Sequence, residues 1–259
     1  MTIIQAIIIA IVEGLTEFLP VSSTGHMILT SAALGVENSE FLRTFEISIQ
    51  IGAIMAIVMM YMQRFFRGFE IYKKLIIAFI PTAIVGFLAY PYIKDYLFSP
   101  LIVSISLILG GIILIIVDKK VSGKITRYNE VENLSVKHAF FIGLVQCISM
   151  IPGVSRAGAT IVGGVFNGLN KKQATEFSFL LAVPTMFAAT GYDLYKTPLH
   201  FSSYEFTLLL IGLVTAFIFA WLAVKIFLVL VNKYGFFYFG WYRIVIGVLF
   251  LVLILKSII

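Results

Sequence analysis

Glu13 and Glu17 stand four residues apart inside an otherwise apolar stretch, residues 3–19. On a helix that spacing puts both carboxylates on one face. A charge at bilayer depth costs about 2.5–3.5 kcal/mol on insertion scales. Two like charges side by side cost more, and call for a cation, a shared proton or an arginine. One Glu near a helix end can simply reach water; two on one face, beside a chain break and a histidine, point to chemistry. That histidine is His26, in Ser22-Ser23-Thr24-Gly25-His26. It could cap or pack, but an imidazole also suits proton transfer or attack on phosphorus. The other histidines, His138 and His200, fall at loop edges, where a solvated role is expected.

Ser22, Ser23 and Thr24 are favoured N-caps, and capping alone would account for them. A helix N-terminus also offers unpaired N–H groups and the positive dipole end to an anion. Ser155 stands in the same relation to a second break, Ile151-Pro152-Gly153-Val154-Ser155. Arg156 follows it, deep in an apolar segment, and a fixed guanidinium suits bidentate phosphate binding. An ion pair that only holds loops together is its bland alternative. Arg243 is the other basic residue deep in an apolar run, and it is expected to snorkel toward the membrane surface. Glu46 and Glu176 each begin a long apolar run, where negative charge in the first helical turn is favourable anyway.

The elements that must position these groups are membrane helices. The chain has 259 residues, 60% hydrophobic and 12% charged, with a mean hydropathy of +1.03. Soluble domains carry about 25% charged residues, so lipid is the default solvent here. The net charge of +6 does not imply nucleic acid, because the bases sit between apolar runs as membrane-flanking charge does. The single cysteine, Cys147, excludes an intrachain disulfide and a CxxC metal site, and reads as a small buried apolar residue. The first basic residue is Arg43, so the opening run lacks a signal peptide's basic region and is expected to remain.

Apolar runs long enough to span cover roughly 42–63, 72–92, 101–118, 174–192, 205–231 and 237–257. Two regions differ. Residues 3–19 break at Leu19–Gly25 and resume to about Leu34; residues 137–151 break at Ile151–Ser155 and resume to about Phe166. Each resumed piece is too short to span, and Pro and Gly stop the helix between them. Both regions are therefore expected to be re-entrant half-helix pairs, their unwound backbone buried in protein.

The halves also align. A shift of 133 residues sets Gln146 on Glu13, Val154 on Val21, Ser155 on Ser22, Gly158 on Gly25 and Gly168 on Gly35. With a three-residue deletion, Thr44–Ser48 faces Ala174–Ser178, and the 133 shift returns at Thr82-Ala83 and Thr215-Ala216. Alternating sides after each full span places Arg64, Arg67, Lys73, Lys74, Lys119, Lys120, Lys124, Arg127, Lys137, Lys171, Lys172, Lys225 and Lys233 together, against Arg43, Lys94, Lys196 and Lys256. That 13-to-4 split makes the first side cytoplasmic and puts both termini outside. Three full spans per half make the repeats inverted, and inverted repeats with broken helices hold their site near the midplane. The expectation is an all-α polytopic membrane protein: one domain, residues 1–259, with an inverted-topology repeat, six full transmembrane helices and two re-entrant half-helix pairs. The repeats cover about 1–118 and 137–259, joined by a cytoplasmic loop, 119–136.

The stretch Glu13-Gly14-Leu15-Thr16-Glu17-Phe18-Leu19-Pro20-Val21-Ser22-Ser23-Thr24-Gly25-His26 resembles the signature of the undecaprenyl-diphosphate phosphatase (UppP or BacA) family. Pro152-Gly153-Val154-Ser155-Arg156-Ala157-Gly158-Ala159-Thr160 resembles its second signature, with Ala157 where the family usually has Ser. The resemblance extends over essentially the whole chain. It implies hydrolysis of undecaprenyl diphosphate to the monophosphate and inorganic phosphate, recycling the carrier lipid for peptidoglycan. It also implies a divalent cation, bacitracin resistance, a bacterial plasma membrane location and a site open to the outer face. It matches Glu13 and Glu17 to the acidic pair, and Ser23, His26, Ser155, Arg156 and Thr160 to the other functional positions.

On this reading Glu13 and Glu17 hold Mg2+ or Ca2+, which binds through one or two carboxylates plus substrate phosphate. Ser22, Ser23, Thr24, Ser155, Arg156 and Thr160 hold phosphate, and His26, Ser23 or water is the nucleophile. Membrane lipid and the lipid diphosphate are the expected partners, with a homodimer left open and no nucleic acid. The rivals are a flippase for undecaprenyl phosphate and a non-catalytic assembly partner.

Overall fold

Short side-chain caps at Thr2, Ser39, Ser135, Ser155 and Ser202 set where five of the helices begin. The computed structural model describes residues 1–66, 69–92, 99–121, 126–128, 130–196 and 201–256. Arg67, Lys94, Lys124 and His200, weighed above, lie outside the described residues. Thr2 caps α1 (Ile3–Thr16) in a reciprocal box with Gln5, and α2 (Ser23–Ala33) follows the first break. Ser39 caps α3 (Glu40–Met60) through Leu42 N–H. The expected run to 63 is interrupted at Tyr61, which leaves helical geometry (φ −108°, ψ 15°) before a four-residue α4 (Met62–Phe65). α5 (Phe69–Tyr92) and α6 (Pro100–Val121) complete the first half.

A 3-10 turn at Val131–Asn133 leads to α7 (Val136–Gln146), capped by Ser135. A second 3-10 turn (Cys147–Met150) and the second break precede α8 (Arg156–Phe166). α9 (Lys171–Lys196), α10 (Ser203–Tyr234, boxed by Ser202 and Glu205) and α11 (Phe237–Leu255) follow. Six of these helices are long and apolar enough to cross a membrane: α3, α5, α6, α9, α10 and α11. The chain is an all-α, multi-pass membrane protein, as its composition requires. At 1.5 Å per residue α1 and α2 run only about 21 and 17 Å, short of a ~30 Å hydrocarbon core.

The packing exchanges elements between halves: α1 lies on α10, α7 lies on α5, and α6 runs along α11. Small residues allow the close crossings. A Cβ at Gly52 would collide with the Leu213 backbone on α10, and one at Gly143 with the Ala78 backbone on α5. The main core includes Phe18, Phe177, Phe179 and Phe227 together with Ala157 and Ile161, so residues next to both breaks share one apolar cluster. Arg64 pairs with Glu132 (2.7 Å) and Glu176 (2.9 Å), tying α4 and the 3-10 turn to α9. Glu46 accepts a hydrogen bond from Ser31 (3.1 Å). Both glutamates thus take part in structural contacts.

Candidate active site

The two breaks converge. Arg156, the first residue of α8, donates from Nη2 to Glu17 Oε1 at 3.0 Å. Ser23, the first residue of α2, donates from Oγ to Glu17 Oε2 at 2.5 Å. One carboxylate therefore links an arginine from one break to a hydroxyl from the other. Ser155 adds a second tie: its Oγ caps Gly158 N–H (3.0 Å) and donates to Leu19 O (3.3 Å). The side chains of Glu17 and Arg156 are only 8% and 12% exposed, so their attraction is little screened by solvent. A fixed guanidinium and fixed donors in a dry setting are the arrangement that stabilises charge on a phosphoryl group.

These groups line a cavity of about 190 Å³. Ser22, Ser23, Thr24, Ser155 and Glu17 form one part of its wall with Arg156; Gln50 from α3 and Thr185, Met186 and Ala189 from α9 form the other. Arg156 is not saturated. Nη1 donates to Ser178 O (3.1 Å), Nη2 also meets Met186 Sδ (3.1 Å), and buried Nε has no protein partner. Buried polar groups are normally satisfied, so this open donor is spare hydrogen-bonding capacity of the guanidinium beside the cavity.

Ser22 holds an unusual backbone, φ 72° and ψ 93°, and is the one non-glycine residue at positive φ among those described. Such strain costs about 1–3 kcal/mol and persists only where the surroundings enforce it. His26 supplies part of that enforcement by donating from Nδ1 to Ser22 O at 2.8 Å. Its Nε2 then accepts from Tyr242 O–H at 2.7 Å, with the two rings stacked. Both ring nitrogens are thus engaged within the protein, and His26 is absent from the cavity wall. Ser22 occupies the N-cap position of α2 but makes no side-chain capping bond.

Thr160 also lies outside the cavity wall. Fully buried, it shares its one hydroxyl hydrogen between the Arg156 and Ala157 carbonyls and accepts from Ser178 Oγ (2.6 Å), which braces the first turn of α8. Ala157 is buried in the core, so the position where the family usually carries serine does not face the cavity. Glu13 is fully buried one turn before Glu17, and neither of its carboxylate oxygens has a hydrogen-bond partner. No cluster of three or more His, Cys, Asp or Glu side chains occurs among the described residues. Glu17 lines the cavity, and Glu13, one turn behind it, does not; two carboxylates, one of them orphaned, suit a hard divalent cation that takes its remaining ligands from phosphate and water.

Glu46 and Glu176 do not stand in first helical turns, because α3 begins at Glu40 and α9 at Lys171, and Cys147 is half-buried rather than buried. A further expectation is overturned. Arg243 does not snorkel: it is 1% exposed and donates to four backbone carbonyls, at Pro20 (3.0 Å), Gly153 (2.9 Å), Ser106 (3.1 Å) and Leu107 (3.3 Å). Its head is satisfied inside the protein, so reaching the membrane surface would forfeit four bonds. Gln50, Thr185 and Met186 also line the cavity without a sequence signal that marks them. They belong to no motif, and the only hint is that α9 carries Pro184 beside Thr185 in its interior.

A family model described as bacitracin resistance protein BacA matches residues 6–249. Three relatives, each named undecaprenyl-diphosphatase, align along nearly their whole length. One from Persephonella marina is 53% identical over 98% of this chain and all of the relative. One from Wolinella succinogenes is 52% identical over 97% of this chain and 98% of the relative. One from Aquifex aeolicus is 51% identical over 96% of this chain and 98% of the relative. The chain belongs to the bacitracin resistance protein BacA family.

Proposed function

We propose that this protein hydrolyses undecaprenyl diphosphate to undecaprenyl phosphate and inorganic phosphate, with Ser23 as nucleophile. The observation that carries the mechanism is the chain Ser23–Glu17–Arg156, with contacts of 2.5 and 3.0 Å across the two breaks. A hydroxyl bonded to a carboxylate, beside a fixed guanidinium, is an activated nucleophile next to an anion clamp. The names of the relatives support the substrate.

The Ser23 Oγ attacks the terminal phosphorus as its proton passes to Glu17. The bond to the bridging oxygen breaks, and the lipid monophosphate leaves as an anion. Water then attacks the phosphoserine; Glu17 returns its proton to Oγ, and inorganic phosphate carries off the water's protons. Arg156 offers Nε and its spare Nη hydrogens to the phosphoryl oxygens throughout. Ser22, Thr24 and Ser155 add hydroxyls and the N-termini of α2 and α8. Thr160 acts through Arg156, as a brace. Glu13 and Glu17 would hold a divalent cation, Mg2+ or Ca2+, that neutralises the diphosphate when bound.

The setting proposed with this activity is the bacterial plasma membrane, with the repeats inverted, the short helix pairs re-entrant, both termini outside and the cavity open to the outer face. A flippase would bind the same head group. Purified protein in detergent, given undecaprenyl diphosphate and Mg2+, separates the two, because detergent abolishes sidedness. Steady phosphate release, lost in Arg156→Ala, is the expected result. No release above a protein-free control would overturn the hydrolase reading.

A further inference from the structure

Arg243 occupies a singular position relative to the repeat. Under the 133-residue shift that aligns the halves, Pro20 corresponds to Gly153 and Gly110 to Arg243. The Arg243 guanidinium bonds the carbonyls of both Pro20 and Gly153, counterparts in the two breaks. Each of those carbonyls lies three residues before a reactive side chain, Ser23 and Arg156 respectively. The same guanidinium lies across Gly110 on α6, where a Cβ would collide with Nη2. Arg243 thus fills the space that its own repeat counterpart leaves empty, and it reads the same carbonyl in each half.

We propose that Arg243 is the positioning residue that fixes the separation of the two breaks, and so the placement of Ser23 against Arg156. This rests on the hydrolase reading given above. No carboxylate is within ion-pair range of Arg243 among the described residues, so its charge is met by carbonyl dipoles alone. Four of its N–H donors are committed to backbone carbonyls, and that gives it a geometric role. The planar fork reaches acceptors on three segments at once: the first break, the second break and α6. An ammonium is a point charge with three donors on a flexible stem and cannot span that set. Glycine at 110 is the complementary requirement, since two arginines at these facing positions would repel each other and overfill the gap.

The test compares Arg243→Gly, Gly110→Ala, the exchange Gly110→Arg with Arg243→Gly, and Gly191→Ala, a helical glycine with open space around it. Each is purified in detergent and assayed with undecaprenyl diphosphate, alongside its melting temperature. Misplacement of reacting groups by about 1 Å costs on the order of a hundredfold in rate, so kcat of Arg243→Gly should fall about that far. KM should move less than kcat, because Arg243 is buried, does not line the cavity and makes no contact of its own with the head group. Gly110→Ala keeps every break residue and the arginine, yet displaces the guanidinium, so it should reproduce the kcat loss even if Arg243→Gly proves unfolded. The exchange should recover kcat at least about tenfold over Arg243→Gly, because the guanidinium returns to the same carbonyls from the facing helix. Gly191→Ala should match wild type. Near-normal kcat in Gly110→Ala, or an exchange no better than Arg243→Gly, would overturn the pin. An inactive wild type would instead remove the hydrolase reading itself.

Discussion

At the scale of single residues the site depends on one carboxylate shared by two breaks. Glu17→Gln keeps the shape but loses the proton acceptor and the charge facing Arg156, so turnover should fall at least about a hundredfold, read as phosphate release. Tyr242→Phe removes one hydrogen bond to a positioning histidine, worth about 1 kcal/mol, and should cost no more than about tenfold in kcat. Equal losses in the two variants would show that His26 does more than hold Ser22. Ala157→Ser should be nearly silent, because residue 157 faces the core and not the cavity. Glu17, Ser23 and Arg156 were legible because charge and hydroxyls beside a helix break have few other uses in lipid. Arg243 was not. Its partners are backbone carbonyls, which carry no sequence signature, and a lone arginine in an apolar run reads by default as one that reaches for water. Gln50 and Met186 were invisible for a related reason: their spacing on α3 and α9 is that of ordinary span residues.

At the scale of elements, the breaks and the long helices were readable from Pro, Gly and run length. The six expected spans agree with α3, α5, α6, α9, α10 and α11 to within a few residues. The first break ends earlier than its composition suggests, because Ser23, Thr24 and Gly25 form the opening turn of α2. The strained Ser22, held by His26, lets the helix start there. Close helix crossings were not readable, since a glycine in an apolar run does not name its neighbour. Gly52→Ala and Gly143→Ala each push a methyl into an adjacent backbone, and overpacking of this kind costs about 1–3 kcal/mol. Both should lower the melting temperature in detergent, whereas Gly191→Ala should leave it unchanged. Unaltered melting of Gly52→Ala would mean that α3 and α10 are farther apart than described.

At the scale of the molecule, the two short helix pairs bring chemistry from opposite halves of the chain to one small cavity, and the long helices act as their frame. The carboxylate pair, with Glu17 on the cavity wall and Glu13 orphaned behind it, predicts how the site responds to metal. Chelation should abolish phosphate release and added Mg2+ or Ca2+ should restore it, and the ion should also raise the melting temperature, because it binds the folded protein and offsets the repulsion of Glu13 and Glu17. Full activity in excess chelator would remove the cation from the account. The most direct test of the central claim is rapid-quench trapping with undecaprenyl diphosphate labelled in its terminal phosphate. The account predicts an acid-stable, alkali-labile phosphoenzyme within the first turnover, its label on the peptide containing Ser23 and absent in Ser23→Ala. An acid-labile, base-stable adduct on His26, or turnover by Ser23→Ala at the wild-type rate, would contradict it.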